Sequence, residues 1–287
     1  MAHFEETAIG FKAIFQKTFN DTKSDADVLG MQIPSTDLSE KYVWLGNFPM
    51  MKEWVGDRDI KKFKDYGYAL ENQPYEATVT VPNNHLEYDK VGLYKPAIQQ
   101  MAFNAKKFGA VLITKILLDG EHATKGKCYD GKPFFDNAHA MGANTYANVG
   151  TGALTPDNLI AADALMMSIK GETDQALGVT PTHLICGPKS KKQAIQAIKK
   201  EYLTGGESNP TYQSYELLVL PEITDTSWYL MDLGKPVKPF VLQVAKDGLF
   251  ESSNDHKFMK DEALFGCKSF MNAGYALWQL AYKSSGV

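Results

Sequence analysis

Cysteine is scarce: three residues of 287, Cys128, Cys186 and Cys267, far apart and without a CxxC pair. No disulfide framework can be built from them, and buried free thiols in a reducing compartment are expected. Long apolar runs are absent too. None approaches the roughly 18–20 residues of a membrane span, and Met1-Ala2-His3-Phe4-Glu5-Glu6 lacks the basic and apolar regions of a secretory signal. A cytoplasmic, membrane-free protein is expected. There is no surplus of positive charge, with 30 Lys and Arg against 34 Asp and Glu. Residues 1–40 hold three lysines against seven carboxylates and so carry the whole net charge of −4. That distribution is unlike a nucleic-acid footprint, so sequence-specific DNA binding is not expected.

Motifs of chemistry are missing as well. No GxSxG elbow, HExxH helix or GxGxxG fingerprint occurs, and Gly187-Pro188-Lys189-Ser190 lacks the upstream glycines of a phosphate loop. It reads as a strand-to-helix turn with Ser190 as a helix cap. No enzyme activity, cofactor or metal is expected.

What remains is a globular composition, 44% hydrophobic and 22% charged with 15 Phe, 14 Tyr and 4 Trp, on a chain long enough for two domains. The pattern is α+β. Residues 1–40 begin with a helix-compatible run, Ile9, Phe11, Ile14, Phe15, Phe19, but turn polar and read as an extended arm. Tyr75–Val81 alternates like a strand. Pro96 opens a helix over 96–118 with Ile98, Met101, Ala105, Phe108, Leu112 and Ile116 on one stripe, stopped at Gly120. Residues 120–155 read as a loop or weak hairpin. An α/β rhythm follows: a helix capped at Thr155, a strand at His183–Cys186, a helix over Lys189–Leu203, and strands at 217–220, 228–231 and 240–244. The apolar run Tyr275–Tyr282 reads as one strand buried on both faces and returning to the first domain.

Two clusters invite a chemical reading. Asp130, Asp136 and His139 fall within ten residues, enough to suggest a metal-dependent hydrolase, yet Asp-Gly and Asp-Asn are ordinary turn formers. Lys189, Lys191, Lys192, Lys199 and Lys200 are expected to solvate the helix face opposite Ile195, Ile198 and Tyr202. The irregular aromatic and charged stretch from Trp44 to Arg58 has no single-domain purpose, and Trp44, Trp54, Asp57 and Arg58 are the candidate subunit-interface residues.

Tyr42-Val-Trp44-Leu45-Gly46, Lys52-Glu53-Trp54-Val-Gly56-Asp57-Arg58, Asp89 through Tyr94-Lys-Pro96, Tyr129-Asp130-Gly131 with Phe134-Phe135-Asp136 and His139, and Asn272-Ala-Gly274-Tyr275-Ala-Leu-Trp278-Gln279-Leu280-Ala281 occur in that order. From about residue 35 onward the sequence resembles the Mu-like phage major head subunit family. Lys52, Asn83 and Lys268 depart from it where relatives would carry basic residues, often Arg. The resemblance implies the Hong Kong 97-type capsid fold: an N-terminal arm (1–40), an extended loop and peripheral domain with a spine helix at 96–118 (41–154), an α/β axial domain (155–250), and a return segment completing the peripheral domain (251–287). It further implies pentamers and hexamers of the chain closing around double-stranded DNA, assembled in the host cytoplasm, with portal and scaffold or maturation protease proteins as partners. An encapsulin-like compartment shell is the alternative of the same fold.

Overall fold

The structure is a computed structural model that describes residues 2–45, 67–88, 90–171, 174–203 and 205–287. Where the sequence pattern points to an extended arm, the chain forms a 20-residue helix, α1 (Ala2–Asp21). Phe11 and Phe15 sit one turn apart and are buried, Phe11 edge-on to Phe265 at 4.9 Å and Phe15 5.4 Å from Phe250. Burying each ring contributes about 1.5–3 kcal/mol, enough to hold this face down despite the polar residues that follow.

After the short turn α2 (Ala26–Leu29) come β1 (Gly30–Pro34), then β2 (Ser39–Lys41), which pairs antiparallel with β3 (Ala69–Glu71). β4 (Gln73–Pro82) and α3 (Asn83–Glu87) lead to the longest helix, α4 (Lys95–Leu118), with Pro96 in its first turn. Its buried stripe is Ile98, Met101, Ala102, Gly109, Leu112, Ile113 and Leu117; the expected Ala105, Phe108 and Ile116 lie on its half-buried margin. Gly109 is needed for space, since a Cβ there would stand 2.7 Å from the Leu242 side chain.

The hairpin β5 (His139–Met141) and β6 (Asn144–Tyr146) precedes β7 (Val149–Gly150) and α5 (Pro156–Met167). The Thr155 side chain accepts the Asn158 N–H at 3.3 Å and caps α5 as expected. β8 (His183–Cys186), α6 (Lys191–Lys199) and β9 (Glu216–Val219) form a parallel crossover, followed by β10 (Trp228–Met231), β11 (Phe240–Ser253), α7 (Lys257–Lys260), β12 (Glu262–Tyr275) and β13 (Ala281–Ser284).

Two sheets organise these elements. One runs β1-β11-β12-β4 and carries α4 and α1; the other runs β7-β13-β10-β8-β9. The first is built on a hairpin of two 14-residue strands, β11 and β12, of which the sequence pattern marks only Phe240–Val244. The ladder is irregular around Lys246-Asp247-Gly248, where its register shifts. Gly248 has φ +58°, and a Cβ there would meet the Phe19 ring at 2.5 Å, so glycine serves both the irregularity and the seating of α1.

Four further expectations are corrected. Helix α6 ends at Lys199 because the Asn209 side chain donates to the carbonyls of Ala197 (2.7 Å) and Lys200 (2.8 Å), and Thr211 Oγ1 also donates to that of Ala197 (2.7 Å). These bonds satisfy the terminal carbonyls that another turn would have used. The buried face of α6 is Ala194, Ala197 and Ile198, while Ile195 and Tyr202 are exposed along with all five lysines. Ser190 is no cap, for its hydroxyl donates to the Thr226 carbonyl at 3.1 Å. Finally, Tyr275–Tyr282 is not one strand. Tyr275 ends β12, Trp278–Leu280 makes a tight turn, and β13 pairs with β10 and β7, so the C-terminal run passes from one sheet to the other.

Gly187 serves backbone approach. A Cβ there would stand 2.0 Å from the Ile223 carbonyl oxygen. Gly187→Ala is expected to cost about 1–3 kcal/mol, read as a shifted urea midpoint. Cys128, Cys186 and Cys267 are free and buried, and burial pushes each thiol up, Cys186 to about 11. All three should stay silent to a thiol reagent in the native protein and react together on unfolding.

Candidate functional site

The enzyme-like cluster lies on the chain between α4 and β6. Its groups are spent on folding. Asp130 Oδ1 accepts the Lys132 N–H (3.1 Å) across a turn in which Gly131 takes φ +83°, and Asp136 Oδ1 accepts the Ala138 N–H (2.8 Å). The Lys132 ammonium donates to the Ala138 carbonyl and stands 3.9 Å from Asp136. His139 is fully buried, with Nδ1 2.6 Å from Asp130 Oδ2 and its ring stacked on Trp278 at 4.1 Å and 9°. An imidazole sealed under an indole is out of a substrate's reach. Among the described residues no three His, Cys, Asp or Glu side chains converge to hold a metal ion.

A residue that the sequence pattern does not mark holds this region together. Asn148 is buried, and its Nδ2 donates to the carbonyls of Phe134 (2.8 Å), Ala281 (3.2 Å) and Trp278 (3.3 Å) while Oδ1 accepts the Asp136 N–H (2.9 Å). Beside it Lys283 pairs with Glu121 at 2.6 Å, and Gln279 Nε2 donates to the Tyr129 hydroxyl at 2.7 Å. The segment after α4 is thereby clasped to the C-terminal run where that run crosses between the sheets.

Of the candidate interface residues, Trp44 is half-buried against the core, its ring edge-on to Tyr42 at 6.1 Å. Tyr42 in turn donates to Gln243 Oε1 (2.6 Å), and burial pushes its hydroxyl up to about 12. Trp44 is thus accounted for in part within its own chain. Trp54, Asp57 and Arg58 lie outside the described residues. The base of their segment is described: Lys41 pairs with Ala69 in the β2–β3 ribbon, which brings the chain's departure at 45 and its return at 67 to one place. Glu40 secures the preceding turn by accepting from Ser35 Oγ (3.0 Å) and the N–H of Thr36 (3.2 Å), contacts that hold its carboxyl below the usual range. Other buried polar supports, Gln243 and Asn72, also went unmarked; the signal was a polar residue at an inward position of a strand or at its end.

The enzyme-like cluster is thus a mostly buried clasp between the segment after α4 and the C-terminal run. The family described as "Mu-like prophage major head subunit gpT" matches residues 4–153, 145–223 and 222–286. The chain belongs to the Mu-like prophage major head subunit family. The major capsid protein of Escherichia phage Mu is 30% identical to it over 281 residues, covering 95% of this chain and 70% of that protein. The Mu-like prophage FluMu major head subunit of Haemophilus influenzae is 28% identical over 282 residues, covering 97% and 71%. A chain of the bacteriophage JBD30 procapsid superposes with a TM-score of 0.63 at 26% identity, covering 99% of this chain and 75% of that one. A virus-like particle subunit from Pyrococcus furiosus shares the fold at TM-score 0.52 and 12% identity over 96% of this chain and 97% of that one. The head-subunit family and the Hong Kong 97-type capsid fold implied by the resemblance are therefore those of the chain.

Proposed function

We propose that this protein is the shell-forming subunit of a Mu-like phage head, which groups into pentamers and hexamers and closes around double-stranded DNA. The observation that carries the reading is the end-to-end family match together with likeness to a procapsid chain over nearly its full length. Its mechanism is binding. Each copy meets several neighbours, and many moderate contacts sum to a stable shell by the logic that makes avidity exceed affinity. The sheet with α4 serves as the peripheral part and the sheet with α5 and α6 as the axial part, while the segment leaving the β2–β3 ribbon, with Trp54, Asp57 and Arg58, reaches a neighbour. The slight negative charge suits a container that holds DNA without gripping it. Portal and scaffold or maturation protease proteins complete assembly in the host cytoplasm. An encapsulin-like role draws only on the shared fold.

Negative-stain electron microscopy of the purified protein, alone and with its neighbouring phage proteins, tests the reading. Shells, tubes or capsomers are expected, and monomers under every condition overturn it. Asp136→Ala separates the shell reading from the hydrolase: it should alter particle yield or stability only, with no activity lost.

A further inference from the structure

Two stretches of the chain are basic and free of carboxylates. α4 carries Lys95, Lys106, Lys107 and Lys115, and residues 175–200, which end with α6, carry Lys189, Lys191, Lys192, Lys199 and Lys200. The fold treats them differently. The acidic N-terminal region lies along α4, where Lys107 stands 3.0 Å from Asp25, Lys95 lines one cleft with Asp21, and Lys106 reaches over the Phe19 ring at 5.0 Å. The second stretch has no such cover. All five of its lysines are exposed, and among the described residues none stands within ion-pair distance of a carboxylate. Helix geometry gathers the central ones: Ala194, Ala197 and Ile198 fix the buried side of α6, and Lys192 and Lys199, two turns apart, fall on one line opposite it. Without these five, 25 Lys and Arg face 34 Asp and Glu, so the patch belongs to a chain that is otherwise net acidic.

We propose that this lysine face seats the phosphate backbone of double-stranded DNA, and that α6 therefore turns toward the enclosed duplex. The inference rests on the shell reading, which supplies the polyanion. A duplex carries one charge per about 1.7 Å of its axis, so a nine-residue helix about 14 Å long passes several phosphates. Lysine meets a phosphate as a point charge and reads no base, while the exposed Gln193 and Gln196 add donors for phosphate oxygens. The contact is weak and independent of sequence. Because the rest of the chain is net acidic, the duplex is drawn to this face and held off elsewhere, which leaves it free to be released.

Binding of the unassembled subunit to a mixed-sequence duplex, followed by fluorescence anisotropy between about 50 and 200 mM salt, tests this. The logarithm of affinity is expected to fall with the logarithm of salt at a slope of roughly −3 to −4, as for about four neutralised phosphates. Lys192→Gln combined with Lys199→Gln should make the slope shallower by about 2 and weaken binding alike on all sequences. Lys12→Gln combined with Lys17→Gln removes the same charge from α1 and should leave the slope as it is. All four side chains are exposed, so both variants should melt like the parent. In DNA-filled heads, Lys192 and Lys199 should lose reactivity toward a small acetylating reagent and regain it once the heads are emptied. No salt-dependent binding, a slope unmoved by the α6 pair, or an equal change from the α1 pair overturns the proposal. So does protection that persists in emptied heads, where carboxylates of a second copy cover the lysines, or full reactivity in filled heads, where the face is only solvated. If the protein forms no shell under any condition, the shell reading falls, and the duplex titration still decides on this face.

Discussion

Asn148→Asp should destabilise the protein by roughly 3–5 kcal/mol, more than Asn148→Ala does, although it changes the shape of the side chain hardly at all. The reason is the sign of the atoms around it. The amide nitrogen faces three carbonyl oxygens, those of Phe134, Ala281 and Trp278. A carboxylate would put an anionic oxygen against all three in a site with almost no access to water, whereas alanine only leaves them without a donor. The burial and the opposing carbonyls raise the introduced carboxyl's pKa above its unfolded value. A group shifted that way contributes stability below its unfolded pKa that is lost as pH rises through the folded one. The difference from the parent protein should therefore narrow as pH falls from 7 toward about 4. Urea unfolding at several pH values measures both effects, and a cost under about 1 kcal/mol at pH 7 would remove Asn148 from the role of tie.

How this tie escaped the sequence pattern is instructive. Asn148 sits in a Gly-, Asn- and Asp-rich stretch whose composition is that of a surface loop, and nothing local distinguishes a solvated Asn from one that gathers carbonyls from residues 14, 130 and 133 positions away. The cluster of Asp130, Asp136 and His139 was visible for the opposite reason, its residues being close in sequence. Their purpose was hidden, because the indole that seals His139 belongs to Trp278. Helix α4 was legible since Pro96 and a three-to-four spacing are local signals. Even there the edges of the buried stripe were not, because Gly109 sits within it and lets Leu242 close. The long β11–β12 hairpin was legible only at its apolar end, where both faces are covered; past Val244 the strand is largely exposed and its residues follow no alternation. Helix α1 shows the limit of composition: its acidic, polar surroundings suggested an arm, and two phenylalanines one turn apart decided otherwise. The family pattern survived all of this because it is carried by many short segments in a fixed order, independent of how each one packs.

Trp278→Ala is the second large effect expected, about 3–5 kcal/mol, or a fall in Tm of roughly 6–20 °C for a chain of this size. Trp278 is fully buried at the turn where the C-terminal run leaves β12 for β13. Its ring lies flat on His139, and its carbonyl accepts from Asn148. Removing the ring opens a cavity bounded by a stacked imidazole that is tethered to Asp130, so the site has little freedom to collapse. Trp278→Phe should cost under about 2 kcal/mol, for it keeps most of the stacking surface, and the indole N–H has no protein acceptor among the described residues to lose. The ordering Ala well below Phe, with Phe close to the parent, separates a packing role from a hydrogen-bonding one. A double-mutant cycle with His139→Ala should return a coupling of roughly 0.5–1.5 kcal/mol, the range for stacked rings in contact. Additivity instead would mean that the two rings are held independently by their own segments, and the joint between the sheets would then rest on Asn148, the Lys283–Glu121 pair and the Gln279–Tyr129 hydrogen bond.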